Sequence, residues 1–245
     1  AAIQAAGGAP LTVVYRRSGA RHTATLTPTA DENGHYKAGV WVRDSGAGIG
    51  TMSFVDPQRG TFAGLGHSIS DADTGADLTL LSGEIVPVTI TGCIRGAAGS
   101  PGELRGEFAA APAGTVLAND AAGVYGSYTG SCTAPALPVA NLQEVTPGEA
   151  ELWTTVLGTT AQPYTIQVER VTMTGSDPNR NLLIRVTDKR LLDATGGVVQ
   201  GMSGSPIVQN GRLAAVLTHV LVNDPSRGYA IFATTMLEKA DAVAS

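Results

Sequence analysis

The residues best placed to do chemistry lie in one run, Gly201-Met-Ser-Gly-Ser-Pro206, which continues through Ile-Val-Gln-Asn-Gly-Arg-Leu-Ala-Ala-Val-Leu-Thr to His219. A nucleophilic serine has to protrude from a tight turn, and Ser203 sits between glycines in a G-x-S-G string. Glycine accepts the positive φ that such a turn demands, so backbone N–H groups can converge where a carbonyl oxygen becomes an oxyanion. The expected donors are the amides of Gly201 and Ser203. Pro206, two apolar residues, an Asn210-Gly211 turn and a second apolar run specify a hairpin that ties the turn to a rigid sheet. Ser205 is the competing nucleophile, but it lacks the preceding x-S-G geometry.

A serine hydroxyl is a weak nucleophile until a base takes its proton. His22 and His35 fall in an amino-terminal hairpin region and are expected to face solvent. His67 ends a strand in Gly64-Leu-Gly-His-Ser-Ile-Ser-Asp71, with glycine on its approach and polar residues after it, as suits the rim of an active site. Asp71 and Asp73, in Ser70-Asp-Ala-Asp-Thr-Gly75, read first as cap or turn residues. No Glu follows at the distance an EF-hand loop needs, so calcium is not expected there. Cys93 and Cys132 have no metal spacing and read equally as a disulfide or as two buried thiols. No metal and no cofactor are expected.

These residues need a scaffold, and composition narrows it. Gly supplies 31 of 245 residues and Pro another 13, which excludes long helical bundles and favours many short strands. A net charge of −5 argues against nucleic acid as a partner. The longest apolar stretch, Leu213 to Val222, is too short to span a membrane. The chain opens with the last turns of an Ala-rich helix, stopped at Gly7-Gly8 and Pro10. A hairpin follows, Leu11 to Tyr15 and His22 to Thr27, then a strand from Tyr36 to Val42. From Gly46 onward short strands are expected over Gly48 to Val55, Thr61 to Gly66, Gly83 to Ile90, Gly114 to Leu117, Gly123 to Tyr128, Ala150 to Val156, Tyr164 to Met173, Leu182 to Val186, Pro206 to Val208, Leu213 to Val222 and Tyr229 to Phe232. Short helices are expected at Arg190 to Thr195 and Thr235 to Ala244. Arg95, Glu103, Arg105 and Glu107 read as a solvated charged loop. The pattern is all-β, with two barrels about a Pro-rich seam at Ser131 to Pro138.

The Gly201 to His219 run resembles the nucleophile region of chymotrypsin-like serine peptidases, in which G-x-S-G-G-P precedes the same hairpin. Ser205 stands where that pattern has its last Gly. The order His67, Asp, Ser203 also matches. In some bacterial members a His on the strand of His219 lines the specificity pocket and meets an acidic side chain; the other reading of His219 is a core-edge histidine bonded to backbone. More narrowly, GIGTMSF, DPQRGTFAGLGHSISDADTG, VTDKRLLDATGGVVQGMSGSP and LTHVLVNDPSRGY together resemble the SpoIVB-type serine peptidases of spore-forming bacteria.

That resemblance implies a chymotrypsin-like double β-barrel over residues 46–245, preceded in residues 1–45 by the closing part of a PDZ-like domain and a linker. It places the catalytic His on His67, the Ser on Ser203 and the Asp on Asp188, fifteen residues ahead of Ser203. Asp71 and Asp73 compete for the third role. It further implies export to the space between the forespore and mother-cell membranes, self-cleavage, and a membrane-associated regulatory protein as substrate. Two alternatives are a catalytically silent peptide-binding module and a broad secreted digestive peptidase.

Overall fold

The computed structural model describes residues 2–17, 19–40, 46–71, 75–174 and 177–244. Contacts divide the chain into two units, residues 1–47 and 48–245. The first unit opens with a helical turn, α1 (Ala2–Ala5), ended where Gly7 and Gly8 take positive φ. β1 (Leu11–Arg17) then pairs antiparallel with β2 (Ala20–Leu26), opposing Leu11 to Leu26 and Arg17 to Ala20. A two-residue pair, β3 (Thr29–Ala30) and β4 (Tyr36–Lys37), closes around Asp31, whose carboxylate accepts from the amides of Asn33 and His35. The strand expected to continue to Val42 ends at Lys37, and residues 41–45, with Trp41 and Val42, lie outside the described residues. His22 and His35 are exposed.

The second unit holds β5 (Met52–Asp56), β6 (Thr61–Gly64), β7 (Glu84–Ile85), β8 (Val88–Ile94), β9 (Glu103–Phe108), β10 (Gly114–Asp120) and β11 (Gly123–Tyr128) in its first half. Five of them form a half-barrel sheet in the order β5-β6-β11-β10-β7, and β8 with β9 forms a separate hairpin. A strand-free stretch containing Ser131 to Pro138 leads to β12 (Gly148–Thr154), β13 (Gln162–Val171), β14 (Leu182–Val186), β15 (Pro206–Gln209), β16 (Arg212–Val220) and β17 (Arg227–Phe232). These close into a six-stranded barrel, β12-β13-β14-β17-β16-β15. Between them lie α2 (Lys189–Thr195) and, at the end, α3 (Ala233–Ala244). The fold is the expected all-β one with a carboxy-terminal helix; one sheet closes fully and the other is a half-barrel.

Alternation explains the closed barrel. Leu152, Ile166, Val168, Leu182, Ile184, Ile207 and Leu217 point inward and are almost wholly buried. The β15–β16 turn is Asn210-Gly211 with φ of 51° and 74°, the two left-handed residues of a type I′ hairpin. Met236 and Ala240 of α3 pack against Ala63 and Tyr125 of the half-barrel and Val216 and Ile231 of the barrel, so one helix seals both.

One expected stretch divides and one expected element needs correction. The stretch from Gly83 to Ile90 holds two strands, β7 and β8, separated at Val86 and Pro87; Pro87 has no N–H to donate to a ladder. The expected charged loop is β9. Glu103, Arg105 and Glu107 lie on one side of the strand, while Leu104 points the other way and is 6% exposed. Arg105 is ion-paired to Glu103 across an i, i+2 spacing, which a strand provides on one face.

Candidate active site

Ser203 lies on a turn held by main-chain bonds from several segments. Within the turn Met202 N–H donates to Val199 O and Ser205 N–H to Met202 O. From β16, Leu217 O accepts from Gly204 N–H at 2.8 Å. From the approach to β5, Thr51 N–H donates to Ser203 O at 2.8 Å, and Thr51 Oγ1 donates to Gly201 O at 3.0 Å. From β9, Leu104 N–H donates to Gln200 O at 2.9 Å, and Gln200 N–H donates to Gly102 O. Gly201 and Gly204 both take φ of +97°, and a Cβ on Gly204 would collide with the carbonyl oxygen of Thr51. Glycine is required there for both conformation and space. Among the described residues, neither Gly201 N–H nor Ser203 N–H donates to a protein acceptor.

The Ser203 hydroxyl donates to Thr218 O at 2.8 Å. Thr218 is 1% exposed, and its own hydroxyl donates to the carbonyls of Asn179 and Tyr229. Ser205 is fully buried and its Oγ has no partner, so it cannot meet a substrate.

His67 arrives beside β16, next to His219, where β6 ends in two consecutive left-handed residues, Leu65 with φ of 67° and Gly66 with φ of 69°. Gly66 is pressed against Thr218: a Cβ there would meet Thr218 Cγ2 at 2.9 Å. The residue before His67 thus abuts the residue before His219. The two imidazoles are stacked at a tilt, centroids 4.9 Å apart and planes 34° apart. His67 Nδ1 lies 2.7 Å from Ser68 O; a carbonyl only accepts, so Nδ1 is the donor in this bond.

His219 Nδ1 is buried without a partner. Burial, then the neighbouring His67 and Arg180, pulls the His219 pKa down to about 4, against a smaller opposing effect of Asp177. His219 is therefore neutral at pH 7, and the backbone-bonded reading of its ring nitrogen does not hold at Nδ1. Beside it, the Arg180 guanidinium lies 5.2 Å over the Tyr229 ring and pairs with Asp177.

Asp188 is not part of this constellation. It is the N-cap of α2, accepting from Arg190 N–H at 2.8 Å; its other oxygen accepts from Thr165 N–H at 3.2 Å and from Arg190 Nη2 at 2.7 Å. The Arg190 side chain, then the two amides, hold its carboxyl down at about 2 against the opposing effect of burial. Register puts it at a distance. His219 opposes Tyr229, and Tyr229 opposes Leu183. Asp188 lies five residues beyond Leu183, roughly 16 Å along an extended chain. Asp188 thus caps α2, and among the described residues none of its hydrogen bonds goes to a histidine. Asp71 opens a turn, with its N–H on Ala76 O and its carbonyl accepting from Gly75 N–H. Asp73 lies outside the described residues.

Cys93 and Cys132 are both free thiols, the first half-buried with its pKa raised by burial, the second exposed. Among the described residues no group of His, Cys, Asp and Glu side chains is arranged to hold a metal ion. No described helix is long and apolar enough to cross a membrane.

A family model described as SpoIVB peptidase S55 matches residues 34–237. Comparison with curated proteins gives no match. Among solved structures, the chain is similar to the Rv3671c protease from M. tuberculosis in its active form, at 16% identity and a TM-score of 0.40, covering 66% of this chain and 81% of that one. It is also similar to an inactive form of Rv3671c protease, at 16% identity and a TM-score of 0.39, covering 58% and 73%.

Proposed function

The chain belongs to the SpoIVB peptidase S55 family and is a serine peptidase, and from that premise we propose that Ser203 is its nucleophile and His67 its general base. What supports this assignment is that both approach one point of β16: the Thr218 carbonyl takes the Ser203 hydroxyl, Gly66 abuts the Thr218 side chain, and His67 stacks on the next residue, His219.

For reaction the Ser203 side chain leaves the Thr218 carbonyl and turns its hydroxyl to His67. With Nδ1 protonated, Nε2 accepts the Oγ proton as Oγ attacks the peptide carbonyl. The unengaged amides of Gly201 and Ser203 receive the oxyanion, each such donor being worth about 3 kcal/mol in the transition state. His67 returns the proton to the departing amine, and a water repeats the sequence to release the acyl group. His219, neutral and stacked on His67, lines the substrate side of this centre.

The substrate is a protein segment. Within this reading it is a membrane-associated regulator in a sporulation signalling pathway, cut in the space between the forespore and mother-cell membranes, and the chain also cleaves itself. Residues 1–45 are the PDZ-like segment and linker that precede the peptidase. What supports these finer statements is the set of family-like strings between Gly48 and Tyr229.

The test is covalent labelling by a fluorophosphonate probe. The wild-type chain is expected to label, and Ser203→Ala and His67→Ala to lose labelling while keeping their circular dichroism. A folded wild-type chain that binds peptide and never labels would instead favour the silent binding module.

A further inference from the structure

The segment after His67 has few regular anchors, yet one side chain grips it three times. Asn119, near the end of β10, accepts from Ile69 N–H at 2.7 Å through Oδ1 and donates through Nδ2 to Ile69 O and Leu78 O, both at 3.0 Å. Only one orientation of the amide satisfies all three, so the hydrogen bonds themselves fix which atom is Oδ1.

Ile69 N–H and Ser68 C=O belong to the same peptide unit. That unit is planar and trans, so its N–H and C=O point in opposite directions. Fixing the N–H on Asn119 therefore fixes the direction of the Ser68 carbonyl, and that carbonyl is the acceptor 2.7 Å from His67 Nδ1. We propose that Asn119 is a positioning residue for catalysis: it orients the Ser68–Ile69 peptide so that the Ser68 carbonyl holds His67 in its Nδ1–H tautomer with Nε2 as the base. A backbone carbonyl, steered by an amide side chain, thus does the orienting that Asp188, engaged with Arg190, does not do.

The same loop has a second tether. Asp77 accepts from the hydroxyls of Ser68 and Ser70, which lowers its pKa. It binds side chains of the loop and leaves the Ile69 N–H untouched, so Asp77→Ala loosens the loop without releasing the peptide plane.

The inference rests on His67 being the base, and the experiment separates the two claims. ¹⁵N spectra of histidine-labelled protein near pH 8, with the His67 signals assigned by their absence from His67→Gln, read the tautomer directly. Wild-type protein and Asp77→Ala are expected to show Nδ1–H. Asn119→Ala is expected to show a mixture or Nε2–H, with fluorophosphonate labelling slowed roughly 10- to 100-fold, part of the ~10²–10⁴ that a positioned base contributes. Asn119→Asp keeps an oxygen for Ile69 N–H, so it is expected to retain Nδ1–H even if Asn119→Ala does not fold. Nε2–H in the wild type, an unchanged tautomer in folded Asn119→Ala, loss of Nδ1–H in Asn119→Asp, or an equal change in Asp77→Ala would each overturn the proposal. A wild type that never labels but shows the expected tautomers would sink the peptidase assignment of His67 and leave its positioning intact.

Discussion

The serine side and the histidine side of the site are built by different means. The Ser203 turn is clamped by main-chain bonds from Thr51, Gly102, Leu104 and Leu217, so its shape depends on backbone already fixed in sheets or beside them. The segment after His67 closes on itself through main-chain bonds such as Leu78 N–H to Ile69 O, but it is tied to β10 by a side chain, that of Asn119, and braced from within by another, that of Asp77. The contrast follows the task of each part. An oxyanion site is made of backbone N–H groups and tolerates little displacement, whereas a base needs its ring orientation and tautomer set while its proton moves. A backbone clamp supplies the first and a local side-chain tether the second.

The strongest way to break the serine side is Gly204→Ala. Its φ of +97° disfavours any L side chain, and the added Cβ meets the Thr51 carbonyl, which is held where it is by accepting from Leu65 N–H at 3.2 Å. The expected cost is roughly 2–3 kcal/mol, from the left-handed backbone and the clash together, with labelling abolished. Thermal melts and probe labelling check it; a near-native melting temperature would mean that the clamp yields.

The unequal construction also decides what could be read in the chain. The Ser203 turn was legible because backbone-defined turns leave glycines and a hairpin signature in sequence. Most barrel strands were legible through their alternation. β9 was not, because its outward residues are the charged ones and its inward side shows only Leu104, Gly106 and a half-exposed Phe108. Asn119 was not legible either: its three acceptors and donors come from residues about fifty and forty positions away, and nothing local marks it. The capping role of Asp188 was not legible, because a carboxylate before a helix looks the same in sequence whether it caps the helix or faces a distant histidine. What separates the two is Arg190, two residues on, and Thr165 across the sheet.

Asp188 sharpens the comparison, because it belongs to neither side. Asp188→Ala removes an N-cap and an ion pair, for an expected loss of about 1–2 kcal/mol. Asp188→Asn keeps the cap, so folded Asp188→Asn is expected to label within a few-fold of wild type. Loss of labelling in that folded variant would return the carboxylate to the service of His67. Because the folded pKa is depressed to about 2, the contribution of this group is present above the ordinary carboxyl range and fades as pH falls toward 2.

His219 gives a smaller effect with a different window. Its folded pKa, about 4, lies below the unfolded value of 6.5, so between these the unfolded chain binds the extra proton. Stability is then complete above about pH 6.5 and is lost as pH falls toward 4. His219→Gln cannot charge and is expected to flatten that part of the pH–melting curve. Melts from pH 7.5 to 4.5 compare the two; parallel curves would show that the histidine stack does not resist protonation.

The smallest effect is expected on the strand that sequence reading mistook for a loop. Glu107 lies on the exposed side of β9, two residues from the i, i+2 ion pair of Arg105 and Glu103, and makes no ion pair of its own among the described residues. Glu107→Gln is therefore expected to change stability by less than about 0.5 kcal/mol and to leave labelling unchanged. Its value is as a test of the clamp. β9 reaches the nucleophile turn through main-chain bonds at Gly102 and Leu104, and neither depends on the charge of an outward side chain. If removing that charge alone slows labelling, the turn is held by the electrostatics of β9 as well as by its backbone, and the division between a backbone-built serine side and a side-chain-built histidine side no longer holds.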